Sequence, residues 1–313
     1  MILTVTPNPS VDRTVLLDRL IPGAVNRSTR SWSEPSGKGV NVSLALSSNG
    51  TASHAVLPAG GASGAQLRQM LAAAGLPVTY VPIEGSIRSN ISLAQADGVV
   101  TKINETGPQL HAAEIDALID AVVAHLDGAQ WLVCAGSLPA GAPDNLYARL
   151  CEHAHRHAVA VAVDSSGAPL ASCLAAEPTV IKPNTGELAQ LTGTSPGTLG
   201  EVLAAAEEVR RRGAGAVLAS LGAEGAVLVD ADGVLHGRAV VNRVVSTVGA
   251  GDALLAGYLS AARRPREQQL AAALQWAAAA VGHEGTLFQL GASPAQITLT
   301  DAPDLSLPVA ATL

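Results

Sequence analysis

The residues with the strongest claim to chemistry lie late in the chain, in Ser246-Thr247-Val248-Gly249-Ala250-Gly251-Asp252-Ala253-Leu254-Leu255-Ala256-Gly257. Gly249 and Gly251 permit a tight turn that exposes successive backbone N–H groups at the start of a helix. Such a turn binds anions, and the helix dipole reinforces it. Asp252 falls in the first helical turn, where a carboxylate can take a proton from a hydroxyl beside a bound phosphate. The same spacing also fits an ordinary glycine-rich loop followed by an N-terminal helix carboxylate. It is not a dinucleotide fingerprint, because Leu254 stands where the third glycine belongs.

A second cluster is Pro35-Ser36-Gly37-Lys38-Gly39-Val40-Asn41-Val42. It departs from the Walker A loop, with Trp32 at the first glycine position and Gly39 at the Ser/Thr position. A lysine between two glycines at a helix start can meet a phosphate or a sugar, with the Asn41 amide one turn on; a plain capped turn fits the residues equally well. Four polar or glycine-rich loops each follow an apolar run: Ala135-Gly136-Ser137-Leu138-Pro139, Asp164-Ser165-Ser166, Lys182-Pro183-Asn184-Thr185-Gly186-Glu187 and Ser220-Leu221-Gly222-Ala223-Glu224-Gly225. One such loop is turn chemistry; four at the carboxyl edge of an open α/β sheet mark a ligand edge. Asp12 and Arg88 lie beside the two stretches that break the α/β rhythm. Arg88 there can clamp a phosphate through two N–H groups, or be a solvated surface residue. Cys151-x-His153-x-His155-x-His157 imitates a metal site, but His155 points away from the helix face shared by His153 and His157. These histidines, like Arg210-Arg211-Arg212, suit the end of a helix.

The positioning elements follow from periodicity. Strands are expected at Ile2–Thr6, Ala55–Leu57, Trp131–Ala135, Val159–Asp164, Val180–Lys182 and Ala216–Leu221. Helices are expected at Gly39–Ser48, Ser63–Ala74, Ala113–Leu126, Pro143–His157, Leu199–Arg212, Asp252–Ala262 and Glu267–Gly282. Continuous apolar strands separated by helices imply a parallel sheet covered on both faces. Arg13–Asp18 with Asn26–Ser33, and Asn90–Ala96 with Val99–Asn104, alternate instead, and Asp97-Gly98 joins the second pair as a hairpin. They read as one small antiparallel sheet, a lid of about residues 12–33 and 87–106 within a single domain spanning 1–313.

Composition narrows the function. Net charge is −7 and aromatics are 2%, which argues against a nucleic-acid partner. With 48% apolar and 14% charged residues the chain has a core to bury. Its longest apolar runs, Ala271–Leu274 and Ala277–Gly282, are far short of the ~18 residues a membrane span needs. The first residues do not read as a signal peptide. Cys134, Cys151 and Cys173 form no C-x-x-C and read as buried thiols of a cytoplasmic enzyme.

Taken in this order, from Thr4 to about Gly285, these loops resemble the PfkB carbohydrate kinases of the ribokinase-like superfamily. Both signatures of that family are present, Gly37-Lys38-Gly39-Val40-Asn41 and Thr247-Val248-Gly249-Ala250-Gly251-Asp252. The resemblance implies a three-layer α/β/α sandwich with a mostly parallel central sheet and a small β-sheet lid. It also implies ATP and Mg²⁺ as cofactors, and phosphorylation of D-fructose 1-phosphate to the 1,6-bisphosphate. Thr101-Lys102-Ile103-Asn104-Glu105-Thr106-Gly107-Pro108 and Lys38 are similar to the branch that uses this acceptor. Leu57-Pro58-Ala59-Gly60-Gly61-Ala62-Ser63-Gly64 is similar to the fructose-6-phosphate branch, and Ser36 replaces a usual glycine. Fructose 6-phosphate and tagatose 6-phosphate therefore stay as alternative acceptors, and a catalytically silent sugar-phosphate sensor as an alternative of another class.

By the same resemblance, Asp252 is the base, and Gly249, Ala250 and Gly251 form the anion hole. Asp12, Gly37, Lys38, Asn41, Arg88 and Ser137 hold the sugar phosphate. Lys182, Asn184, Ser220, Gly222, Gly225 and Gly251 line the ATP side, and Asn184 with Glu187 organises Mg²⁺ through water. A homodimer through the lid is a further implication, since the lid's exposed face and edges need covering.

Overall fold

Aliphatic runs without alternation become buried strands, and in this chain they assemble into a ten-stranded sheet. The computed structural model describes residues 1–310 apart from Asn242, Glu284, Thr286, Leu287, Ala292 and Ser293. The chain begins with β1 (Ile2–Val5) and leaves the core through β2 (Ser10–Leu17) and β3 (Arg30–Ser36). It returns through α1 (Lys38–Ser48), β4 (Ser53–Ala59), α2 (Gly61–Ala73) and β5 (Val78–Pro82). A second excursion forms β6 (Arg88–Gln95) and β7 (Val100–Asn104). Then come α3 (Ala112–Val123), β8 (Trp131–Ala135), α4 (Leu146–Arg156), β9 (Ala160–Asp164), α5 (Gly167–Leu174) and β10 (Val180–Ile181). α6 (Thr185–Thr192), α7 (Leu199–Arg211), β11 (Ala216–Ser220), β12 (Ala226–Asp230) and β13 (Gly233–Ala239) follow. α8 (Ala250–Ser260), α9 (Arg266–Val281) and β14 (Ile297–Thr300) complete the set.

The sheet order is β14-β13-β12-β11-β10-β9-β8-β1-β4-β5, and from β5 to β11 every neighbour is parallel. Helices cover both faces, as the parity of β8 shows. Leu132 and Cys134 enter the core under α3 to α7, while Val133 and Ala135 enter the core under α1, α8 and α9. All three cysteines are free and buried. Among the described residues no helix is long and apolar enough to cross a membrane.

The strands β12 to β14, antiparallel at one edge, were not in the sequence expectation. The lid requires a correction too. Its order is β3-β2-β6-β7, with β2–β3 and β6–β7 antiparallel but β2–β6 parallel from Ser10↔Arg88 to Leu17↔Gln95. The reason is directional: β2 leaves β1 and β6 leaves β5 on the same edge of a parallel block, so the two strands run the same way. This register sets Ser10 beside Arg88 and Asp12 beside Asn90 and Glu34.

The chain changes direction around β1, which lies between β4 and the later strand β8. In an open α/β sheet such a switch point is where a ligand crevice forms, beyond the carboxyl ends of the strands. Gly39 makes a close approach possible: a Cβ on it would come within 3.0 Å of the Val5 carbonyl oxygen, so α1 starts against the end of β1.

Candidate active site

Gly249, at φ 78°, is the N-cap of α8, and the helix begins at Ala250, two residues earlier than expected. Ala250 and Gly251 are thus first-turn residues; the Ala250 N–H donates to the Thr247 carbonyl at 3.3 Å, and the Gly251 N–H has no acceptor inside the helix. Asp252 follows, 8% exposed, and accepts a 2.7 Å hydrogen bond at Oδ2 from Asn41 Nδ2 on α1. Burial first, then the charge of Asp164, push its carboxyl upward. Asn41, Lys38 and Lys182 pull it back, and it settles at about 6. A carboxylate so placed is ionised at neutral pH yet basic enough to take a hydroxyl proton. The base must be deprotonated, so kcat/KM is expected to rise with pH through about 6 and level off above. A pH–rate profile that stays flat from about pH 5 to about pH 8 would exclude Asp252 as the base.

Asp164, at the end of β9, is fully buried and carries two lysines. Lys38 Nζ lies 2.7 Å from Oδ1 and Lys182 Nζ 3.1 Å from Oδ2. Burial opposes its ionisation, but Lys182 and Lys38 hold its carboxyl below the ordinary aspartate range. Lys38 also lies 3.5 Å from Glu187 Oε1; despite the opposing effect of burial, Asp164 and Glu187 raise its ammonium above the usual lysine range. A Cβ on Gly251 would stand 3.3 Å from Lys182 Nζ, so this ammonium borders the N-terminus of α8. Two lysines tied to one buried carboxylate next to a helix N-terminus favour a transferring phosphoryl group.

On the neighbouring loops, Asn184 caps α6. Its side chain accepts from Glu187 N at 2.8 Å and Glu187 Oε2 accepts from Asn184 N at 2.9 Å. Part of the N-x-x-E spacing is therefore a capping box, which leaves Glu187 Oε1 toward Lys38. Asn184 pairs with Ser220 as an isolated bridge. Gly222, at φ 62°, and Gly225, at φ 84°, bound the next turn.

On the other side, Asn8 Nδ2 donates to the Thr106 carbonyl at 3.0 Å and to Ser137 Oγ at 3.2 Å. Arg88 Nε donates to the Asn8 carbonyl at 3.2 Å. Burial lowers the Arg88 pKa, partly offset by Asp12. Asp12 Oδ1 accepts from Ser10 Oγ at 2.7 Å and from Asn90 Nδ2 at 2.8 Å. The site thus has a cationic wall of lysines, a carboxylate base, and a polar lid face on which Arg88 stands beside Asp12.

A family model, the pfkB family carbohydrate kinases, matches residues 7–291. The chain belongs to this family. Its fold is ribokinase-like, and its chemistry is phosphoryl transfer to an alcohol acceptor. It is 41% identical over 265 residues to a 1-phosphofructokinase of Haloferax volcanii, covering 83% of this chain and 84% of that one. It is 34% identical over 260 residues to a D-tagatose-1-phosphate kinase of Bacillus licheniformis, covering 83% and 84%. Among solved structures, phosphofructokinase-2 from Escherichia coli in complex with fructose-6-phosphate superposes with a TM-score of 0.84. That pair is 30% identical, covering 90% of this chain and 93% of that one.

In this pfkB kinase the expected site residues gather around the crevice in two groups. Lys38, Asn41, Lys182, Glu187, Gly249, Ala250, Gly251 and Asp252 meet around Asp164. Arg88 and Ser137 meet at Asn8, and Asp12 stands beside Arg88 with Ser10 and Asn90. Lys38 stands apart from the second group: its ammonium is on the Asp164 side. Gly37, at φ 120°, shapes the turn before α1. Sequence reasoning placed Asp164 on a ligand-edge loop without giving it an individual role, and gave none to Asn8 or Asn90. An aspartate closing an otherwise apolar strand was the available signal for Asp164. At the end of α4, His153 Nδ1 lies 3.3 Å from Arg156 Nη1 and the C-cap His157 Nδ1 lies 2.8 Å from Asp127 Oδ1, both local contacts.

Proposed function

We propose that this pfkB kinase transfers the γ-phosphoryl group of ATP to O6 of D-fructose 1-phosphate, giving the 1,6-bisphosphate and ADP. The observation that carries this reading is the buried Asp252 carboxylate at a helix N-terminus, within the electrostatic reach of Lys38 and Lys182, which Asp164 holds. Asp252 takes the O6–H proton as the O6–P bond forms and the bond from phosphorus to the ADP oxygen breaks. The first-turn N–H groups of Gly251 and its neighbours, with Lys182, stabilise the charge of the phosphoryl in transit. Lys38, held by Asp164, neutralises the same group.

Glu187 and Asn184 offer the oxygen donors that Mg²⁺ prefers. Because one Glu187 oxygen caps α6 and the other faces Lys38, these residues would hold the ion through water. When bound with ATP, Mg²⁺ supplies neutralisation of the phosphate oxygens. Ser220, Gly222 and Gly225 border the nucleotide. Arg88, Asp12, Asn41, Gly37 and Ser137 receive the sugar phosphate, with Arg88 as its cation.

The Haloferax volcanii relative's name supports fructose 1-phosphate as acceptor. The complex of the Escherichia coli enzyme keeps fructose 6-phosphate as the second reading. The lid's outermost strand leaves Val100 and Ile103 about half exposed, which supports a homodimer closing over that sheet. A cytoplasmic location suits a substrate pair of this kind. A coupled ADP-release assay decides the acceptor: kcat/KM is expected to be highest for fructose 1-phosphate against fructose 6-phosphate and tagatose 6-phosphate. A higher value for either of the latter would reassign it, and no ADP release with any of them would leave a sugar-phosphate sensor.

A further inference from the structure

Glu34 lies directly across the β2–β3 ladder from Asp12, so both side chains leave the same face of the lid. That face carries Ser10, Asp12, Arg88 and Asn90, the polar cluster of the acceptor side. Glu34 therefore looks into the cleft. Its carboxylate is engaged at two points. Within the lid, the Trp32 indole Nε1–H donates to Oε2 at 3.0 Å. The indole is itself braced by the Arg30 guanidinium, 4.9 Å from the ring centroid.

The second point is off the lid. Glu34 lies against the backbone of Gly285, where a Cβ would stand 2.8 Å from the carboxylate carbon and 3.0 Å from Oε2. Gly285 also has φ 82°, so two separate constraints favour glycine there. It lies just past α9, and α9 packs closely on α8: a Cβ on Gly257 would come within 2.9 Å of the Ala273 Cα. Glu34 thus reaches from the lid to Gly285, just past the end of α9 at Val281, and α9 packs on the helix that carries Asp252.

We infer that Glu34 is a positioning residue: its carboxylate, seated on the Gly285 backbone, holds the lid at that residue. A lid held there keeps water from the phosphoryl group, so that the sugar hydroxyl is the nucleophile. The inference rests on the kinase reading above.

The test measures two products in one incubation with ATP, Mg²⁺ and fructose 1-phosphate: ADP and sugar bisphosphate. Wild type is expected to release one ADP per bisphosphate. Glu34→Ala is expected to lower kcat/KM for the sugar phosphate by about tenfold and to release ADP in excess of bisphosphate. Glu34→Gln keeps an oxygen for the Trp32 indole and is expected to restore most of the coupling. Gly285→Ala, which fills the seat and leaves Glu34 in place, is expected to uncouple as Glu34→Ala does. A merely structural role would lower both products together and leave their ratio at one. Coupling at the wild-type ratio in Glu34→Ala would overturn the inference; should that variant not fold, the same result in Gly285→Ala would do so. Absence of bisphosphate from the wild type would overturn the kinase reading instead.

Discussion

Asp252→Asn is expected to lower kcat by about 10²–10⁴-fold while KM for the sugar phosphate stays within about threefold. Asparagine has the same size and still offers an oxygen to Asn41 Nδ2, which now bonds Asp252 Oδ2 at 2.7 Å. What it lacks is a group that can take the proton. The variant is also expected to keep or gain thermal stability at neutral pH. In the folded chain the carboxyl holds its proton up to about pH 6, against 3.8 as the ordinary value. Its favourable contribution is thus fully present below about pH 4 and is lost as pH rises through about 6. At neutral pH the fold carries a charge that burial disfavours, and the amide removes it. Steady-state kinetics with a parallel melting curve check both halves. Loss of activity through unfolding would show as a lowered Tm, and near-normal kcat would exclude the base role.

The second large effect is expected at Asp164. Removing the one carboxylate between Lys38 Nζ and Lys182 Nζ leaves two ammonium groups without their shared partner. Breaking a buried ion network in this way costs about 3–5 kcal/mol. Asp164→Asn is therefore expected to lower the Tm and to reduce kcat by at least about tenfold, because both lysines lose their anchor beside the phosphoryl site. A further sign is specific to this site. The charge of Asp164 is the second cause, after burial, of the raised Asp252 carboxyl. With that charge gone, the acid limb of the pH–rate profile is expected to move to lower pH in whatever activity remains. A destabilised variant whose acid limb stays in place would show that Asp164 serves the fold alone.

Much of this was legible in the sequence wherever the cause is local. Trp131–Ala135 is the strand the apolar run announced, and Gly249-Ala250-Gly251-Asp252 is the helix start that the glycine spacing announced. The Asp97-Gly98 turn predicted the β6–β7 hairpin. The parts that were not legible depend on distant partners. β2 and β6 are parallel because each leaves the same edge of the core sheet, a fact of topology that neither segment's alternation contains. The lysines of Asp164 come from a different helix start and a different strand end, with Lys38 lying 126 positions away. The edge strands β12 and β13 were a missed local signal, since Asp232-Gly233 lies at the turn between them. The N-x-x-E spacing of Asn184 and Glu187 shows the converse hazard: a functional pattern and a capping box can be the same residues.

The most direct measurement is ³¹P NMR of the products formed from ATP, Mg²⁺ and fructose 1-phosphate by wild type and by Asp252→Asn. Wild type is expected to yield ADP and a new phosphomonoester on C6, with no inorganic phosphate beyond the background. Asp252→Asn is expected to leave both substrates intact over the same time. A wild-type product phosphorylated elsewhere on the sugar, or inorganic phosphate in place of the bisphosphate, would contradict transfer to O6 with Asp252 as the base.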